Sequence, residues 1–126
     1  MWLRRKSEEK LAQEAAVQAE IDRLKALSTE ELAVILLPAL GPDGPAPGQR
    51  LRPQQLCEYL LREFPGGGQT RPLQLLPPVR RATTKLEDAG LVSAIYLQRS
   101  PVWGITSLGA RVLADATVEQ RLGNPA

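Results

Sequence analysis

The sequence contains no histidine and only one cysteine, and both absences restrict its chemistry. Without histidine the chain has neither an imidazole base nor a histidine ligand for zinc. Cys57 has no partner for an internal disulfide, which suits a reducing compartment, and its place in the helical run QQLCEYLL favours a small core residue over a nucleophile. The glycine-rich stretches GPDGPAPG and FPGGGQ lack the Lys and Ser/Thr of a phosphate-binding loop. The sequence therefore predicts no enzyme, no metal site and no cofactor.

Aromatic residues and long apolar runs are also scarce. The core is expected to consist mainly of Leu, Val, Ile and Ala, because only five aromatic residues are present: Trp2, Tyr59, Phe64, Tyr96 and Trp103. No apolar run has the length of a membrane span, and MWLRRKSEEK has no apolar segment of the kind found in a secretory signal. These features predict a cytoplasmic protein with no membrane association.

Net charge is only +2, but its distribution along the chain is uneven. Residues 71–111 contain six basic residues and two acidic ones, a local net charge of +4. The basic residues of this segment are Arg71, Arg80, Arg81, Lys85, Arg99 and Arg111. A basic surface of this kind favours binding to a polyanion.

The N-terminal segment is predicted to be one helix. Residues 7–27 are rich in Ala, Glu, Gln, Lys and Leu and contain neither Gly nor Pro. Their apolar stripe contains Leu11, Val17, Ile21 and Leu24 and spans about two heptads, fewer than a coiled coil requires. The stripe is compatible with a helix packed on its own domain and equally with an arm that forms a homodimer.

A second helix is predicted after Ser28, because Ser28 and Glu31 have the spacing of a capping box. Pro38 is expected to bend its last turn and Gly41 to end it. GPDGPAPG then predicts a loop. Residues 49–51 could form a short strand, and Pro53 is suited to the first turn of a further helix.

The last third of the chain changes from a helical to a strand-like period. Pro78 is expected to begin a helix with the buried stripe Val79, Ala82, Leu86 and Ala89, and Gly90 is expected to end it in a left-handed conformation. LVSAIYLQ and PVWGIT predict a β-hairpin, not of the tight two-residue type, with Arg99 near its tip. Thr106 or Ser107 would cap a final helix, and residues 117–126 are expected to be a tail.

The order helix, short strand, helix, helix, hairpin, helix resembles a winged helix-turn-helix domain. KLEDAGLV is similar to the end of a winged-helix recognition helix, and VWGITSLGARVL to the segment that leaves the wing in many bacterial members. Small bacterial repressors and the N-terminal modules of Mrr-type restriction proteins share both features. The resemblance covers roughly residues 28–116 and implies an α+β, mostly α, fold with a two-stranded wing and an N-terminal helical extension, residues 1–27.

The resemblance implies binding to double-stranded DNA by a small transcriptional regulator or a DNA-binding module. The recognition helix would be residues 78–89. The residues implied to contact DNA are Arg80, Arg81, Thr83, Thr84 and Lys85 on this helix, with Thr83 at the border of the exposed face, and Arg99 on the wing. Binding to paired half-sites would use a homodimer through the N-terminal helix.

The sequence departs from this pattern at two places. Residues 65–77 are far longer than the three to four residues of a compact helix-turn-helix join, which predicts an inserted loop or an extra turn at PLQLL. Glu87 and Asp88 place two carboxylates near the end of the recognition helix. Winged helices also serve as protein-interaction modules, so the alternative is such a module, without DNA binding.

Overall fold

The computed structural model describes residues 2–64 and 71–123, and within these ranges the chain is α+β and mostly helical, as predicted. In the described part of the chain, a two-stranded antiparallel sheet follows the fourth of six α-helices. The elements are α1 (Trp2–Ala26), α2 (Thr29–Leu36), α3 (Pro53–Leu60), α4 (Leu76–Asp88), β1 (Val92–Leu97), β2 (Ser100–Ile105), α5 (Ser107–Ala114) and α6 (Val118–Gly123).

The two halves of α1 differ in their surroundings. Val17, Ile21 and Leu24 are buried in the core, whereas Leu11 keeps 64% of its surface exposed. The second half of the helix packs near the 3₁₀ turn Arg71–Leu75. Three of the four apolar residues of the predicted stripe are therefore used inside the chain, and this half of α1 belongs to the domain rather than to an extension of it.

Helix α2 begins as its sequence predicts. Ser28 Oγ accepts a hydrogen bond from the Glu31 N–H, and the Glu31 carboxylate accepts one from the Ser28 N–H, both at 3.1 Å. These two contacts satisfy N–H groups that have no partner within the helix. The helix continues into the 3₁₀ turn Leu37–Leu40, which contains Pro38 and ends at Gly41, again as predicted.

The predicted short strand before α3 is a single β-bridge. Leu51 and Trp103 exchange backbone hydrogen bonds of 2.8 Å in an antiparallel bridge, so the segment before α3 is joined to β2. Pro53 occupies the first turn of α3, where its missing N–H costs no hydrogen bond.

Helix α4 begins at Leu76, two residues before the predicted start at Pro78. The extra turn predicted at PLQLL is present as the 3₁₀ turn Arg71–Leu75. The first part of the long join, residues 65–70, lies outside the described residues. Gly90 follows the helix with φ +78°, the left-handed conformation predicted for it.

The hairpin pairs Val92 with Ile105 and Leu97 with Ser100, which leaves a two-residue turn, Gln98 and Arg99. The prediction of a longer connection was wrong. Both turn residues have positive φ, 52° and 68°, as a type I′ turn requires. The sequence lacks the Asn-Gly signal of such a turn, so the tight geometry could not be recognised from its residue types.

The C-terminal segment was predicted to be a tail from residue 117, and the structure corrects this. Thr106 caps α5 by accepting a 2.9 Å hydrogen bond from the Gly109 N–H, and α6 follows after a short turn. Val118 and Leu122 are buried, and α6 packs against α2. The apolar pair anchors this segment in the core. Of residues 117–126, the last three lie outside the described residues.

Within the described residues, all six helices and the hairpin contribute side chains to one cluster of buried residues. Leu36, Leu56 and Leu86 are fully buried within it, and α2 packs against α4 at its centre. Among the buried core residues of the described ranges, Trp103 is the one aromatic residue. This confirms the prediction that the core consists mainly of aliphatic side chains. Among the described residues no helix has the length and hydropathy needed to cross a membrane.

Candidate nucleic-acid interface

Helix α4 presents one buried face and one polar face. Val79, Ala82 and Leu86 are fully buried, as their spacing predicted. The polar face starts with Arg80, Arg81 and Thr84, all exposed, and ends with Glu87 and Asp88, also exposed. The two arginines therefore lie in the first half of the helix, and the two carboxylates lie one turn beyond Thr84.

Thr83 was predicted to be a DNA contact, but its side chain is fully buried. Its Oγ1 donates to the carbonyl oxygens of Val79 and Arg80, at 3.0 Å each. A buried hydroxyl on a helix commonly uses the carbonyls of the preceding turn in this way. Thr83 lies four residues after Val79 on the inward face, a spacing that could have identified it, and it cannot contact a ligand in this position.

Lys85 is more enclosed than its neighbours on the polar face. About a third of its side chain is exposed, and its Nζ lies 3.6 Å from Glu30 Oε1 at the start of α2. The Lys85 charge is therefore partly balanced within the protein. Any anion that binds Lys85 has to compete with the Glu30 carboxylate.

Arg99 lies at the tip of the hairpin, exposed and with φ +68°. A non-glycine residue in this conformation costs roughly 1–2 kcal/mol relative to its preferred backbone region. From residue 89 to residue 114 the chain contains Arg99 and Arg111 and no Asp or Glu. The hairpin consequently offers positive charge without a carboxylate of its own.

Arg50 is a further cation beside the hairpin, and it is not among the contacts predicted from the sequence. Its Nη1 donates to the Ser93 carbonyl oxygen at 2.8 Å, and its Nη2 donates to Ser93 Oγ at 3.1 Å. A Cβ at Gly104 would lie 3.0 Å from Arg50 Cγ, so the glycine makes room for the arginine chain. No local pattern marks Arg50, because its partners are more than 40 residues away in sequence.

Cys57 is fully buried on α3, in agreement with its assignment to the core. Burial raises the pKa of the thiol to about 12, and the nearby Glu58 carboxylate acts in the same direction. A thiol with this pKa is almost entirely protonated at neutral pH and is a poor nucleophile. No group of His, Cys, Asp or Glu side chains within the described ranges could hold a metal ion.

Of the six predicted DNA contacts, the structure leaves Arg80, Arg81, Thr84 and Arg99 exposed, Lys85 half-buried and Thr83 buried. The first three of these belong to one helix face, and Arg99 belongs to the tip of the hairpin. No protein-family model, curated protein or solved structure matches the chain.

Proposed function

We propose that the chain is a winged helix-turn-helix protein that binds double-stranded DNA, as a small transcriptional regulator or a DNA-binding module. Helix α4 would enter the major groove, and the β1–β2 hairpin would be the wing. The order of α2, the Leu51 bridge, α3, α4 and the hairpin supports this fold. In such an arrangement α4 is the recognition helix because it directly precedes the wing.

The observation that carries the proposal is the polar face of α4. Arg80, Arg81 and Thr84 are exposed together on one face of the helix, while Val79 and Leu86 hold the opposite face in the core. Arginine suits both phosphate and guanine, and threonine can reach base edges or phosphates. The N-terminal part of a recognition helix makes most base contacts, so Glu87 and Asp88 lie at the end where they interfere least.

The charge of the hairpin supports a second contact. Arg99 projects from the turn, and no carboxylate occurs between residues 89 and 114. Gly or Asn is easier to accommodate than arginine at a left-handed turn position. An arginine there is therefore expected to have a function that depends on its side chain. We infer that Arg99 contacts a phosphate next to the groove occupied by α4.

The test is a fluorescence-anisotropy titration of the full chain with a random-sequence duplex, at several salt concentrations between about 50 and 200 mM. Affinity should fall linearly with the logarithm of salt concentration, because each neutralised phosphate releases counterions. Arg81→Ala should weaken binding, whereas Arg111→Ala, which removes an exposed cation of α5, should leave it unchanged.

The alternative is a winged-helix module that binds protein and not DNA. The observation that favours it is the apolar surface of the wing, where Ile95, Tyr96 and Leu97 are all exposed. Absence of duplex binding by the wild type at low salt would support this alternative. Equal affinities of Arg81→Ala and Arg111→Ala would instead show that α4 is not the binding surface.

The homodimer through the N-terminal helix stays a prediction, and the structure limits which residues could form it. Val17, Ile21 and Leu24 are buried in the core, so these three residues cannot form the apolar surface of an arm. Among residues 8–16, Leu11 is the one large apolar side chain with substantial exposure.

A further inference from the structure

Strand β1 has an open edge. Within the described residues the sheet consists of β1 and β2, and the Leu51 bridge lies on β2, so β2 has neighbours on both sides and β1 on one only. The backbone N–H and C=O groups on the outer edge of β1 therefore have no strand partner there. Such an edge is a template for pairing with another strand.

The distal half of this edge is apolar on both faces. Ile95 is 43% exposed, Tyr96 72% and Leu97 48%, which makes three consecutive large apolar side chains in contact with solvent. Natural edge strands are commonly protected by a lysine, a proline or a bulge. The strand sequence VSAIYL contains no charge and no proline, and all six of its residues pair with β2 in unbroken register. An uncharged, regular edge strand of this kind favours pairing with a strand of another chain.

The edge is complementary to itself. Ile95 and Leu97 lie on one face of the strand and Tyr96 on the other, because side chains alternate. In an antiparallel pair of two β1 strands with the two-fold axis at position 96, each Tyr96 is opposite its own copy, and Ile95 of one chain is opposite Leu97 of the other. The pairing brings apolar side chains together on both faces. Because β1 contains no charged residue, it places no like charges opposite each other.

We propose that β1 is a dimerisation edge whose partner is the β1 of a second copy of this chain. The two hairpins then form one antiparallel sheet of four strands across the two-fold axis. Residues 8–16 of α1 are a weaker candidate for the same role, since Leu11 is the one large apolar residue among them. This inference does not rest on DNA binding.

The experiment is sedimentation equilibrium of the full chain over a range of concentrations, comparing wild type with Tyr96→Lys and Leu11→Lys. The two variants place the same charge on exposed apolar positions, one on the wing and one on α1. The wild type should approach twice the chain mass of 13.8 kDa, and Tyr96→Lys should remain at 13.8 kDa at the same concentrations. Leu11→Lys should behave as the wild type.

Several results would overturn the proposal: a wild type that stays monomeric at the highest concentration, or a dimer that Leu11→Lys dissociates and Tyr96→Lys does not. The proposal would also be wrong if Tyr96→Lys lowered the affinity for duplex DNA without changing the measured mass. The exposed surface of β1 would then bind nucleic acid and not a second copy of the chain.

Cross-linking gives an independent measurement should the lysine disturb folding. Tyr96→Cys should form a disulfide-linked dimer on mild oxidation and Leu11→Cys should not, and Cys57 does not compete because it is fully buried. Equal cross-linking of the two cysteine variants would count against the wing edge.

Discussion

Lys85 on α4 extends to Glu30 at the first turn of α2, with 3.6 Å between Nζ and Oε1. Both side chains are partly exposed, so the pair contributes at most about 1 kcal/mol to stability. The pair also bears on the proposed DNA binding, because a phosphate that binds Lys85 would have to compete with the Glu30 carboxylate.

Glu30→Gln should therefore tighten binding to duplex DNA if Lys85 contacts a phosphate. The substitution keeps the size of the side chain and removes the charge that competes for Lys85. The measurement is the anisotropy titration against salt, with Glu119→Gln on α6 as a matched loss of one exposed carboxylate. An equal gain for both variants would mean that the effect is only the change in net charge.

Arg99→Gly should raise stability and lower DNA affinity at the same time. Glycine accepts φ +68° without the cost paid by a residue with a Cβ, so the free energy of unfolding should increase by up to about 1 kcal/mol. Loss of one phosphate contact should reduce the slope of log affinity against log salt by about one. Urea unfolding and the salt titration measure the two effects, and weaker binding by a destabilised variant would indicate a damaged turn instead.

Leu86→Ala and Arg80→Ala should differ greatly in stability although both lie on α4. Leu86 is fully buried, and its truncation should cost about 2–5 kcal/mol. Arg80 is exposed, and its replacement should stay within about 0.5 kcal/mol. Urea melts followed by circular dichroism provide the comparison. Similar losses would show that α4 is rotated about its axis relative to this structure.

Ser28→Ala should cost about 0.5–2 kcal/mol through loss of the α2 cap. The Ser28 hydrogen bonds, the backbone one first, lower the pKa of Glu31 below its ordinary value of 4.5. A lowered pKa stabilises the fold above the unfolded-state value, and this contribution is lost as pH falls below 4.5 through the folded-state pKa. Ser28→Ala keeps the backbone N–H that donates to the Glu31 carboxylate, so the pH dependence is measured with Glu31→Gln instead. Urea melts between neutral pH and about pH 3 should show the difference between wild type and Glu31→Gln shrinking on acidification. A difference independent of pH would assign the cap to the hydroxyl alone.

Cys57 should react with a thiol reagent only when the chain unfolds. Burial raises its pKa to about 12, and its side chain has no exposed surface. Labelling at pH 8 should be slow for the native protein and fast in denaturant, whereas a Leu11→Cys variant should gain one rapidly reacting thiol. Rapid native labelling of the wild type would mean that α3 opens locally.

Local signals determined much of this fold. The Ser28–Glu31 pair, Pro53, Gly90 and Thr106 mark element ends through contacts within a few residues, and each has the role that its type predicts. The inward stripe of α4 follows from helical spacing alone.

Only the tertiary structure decided the side-chain contacts and burial that involve residues far apart in sequence. Thr83 became internal because its neighbours on the helix face pack against the core, and Lys85 meets Glu30 across 55 residues of sequence. The Arg50 contacts to Ser93 and the burial of Leu122 likewise arise only when separate elements pack together. A sequence specifies which residues are apolar and which favour a helix. The partner of each side chain, however, is fixed by the packing of separate elements. The candidate interface consists of the charged side chains that this packing leaves exposed.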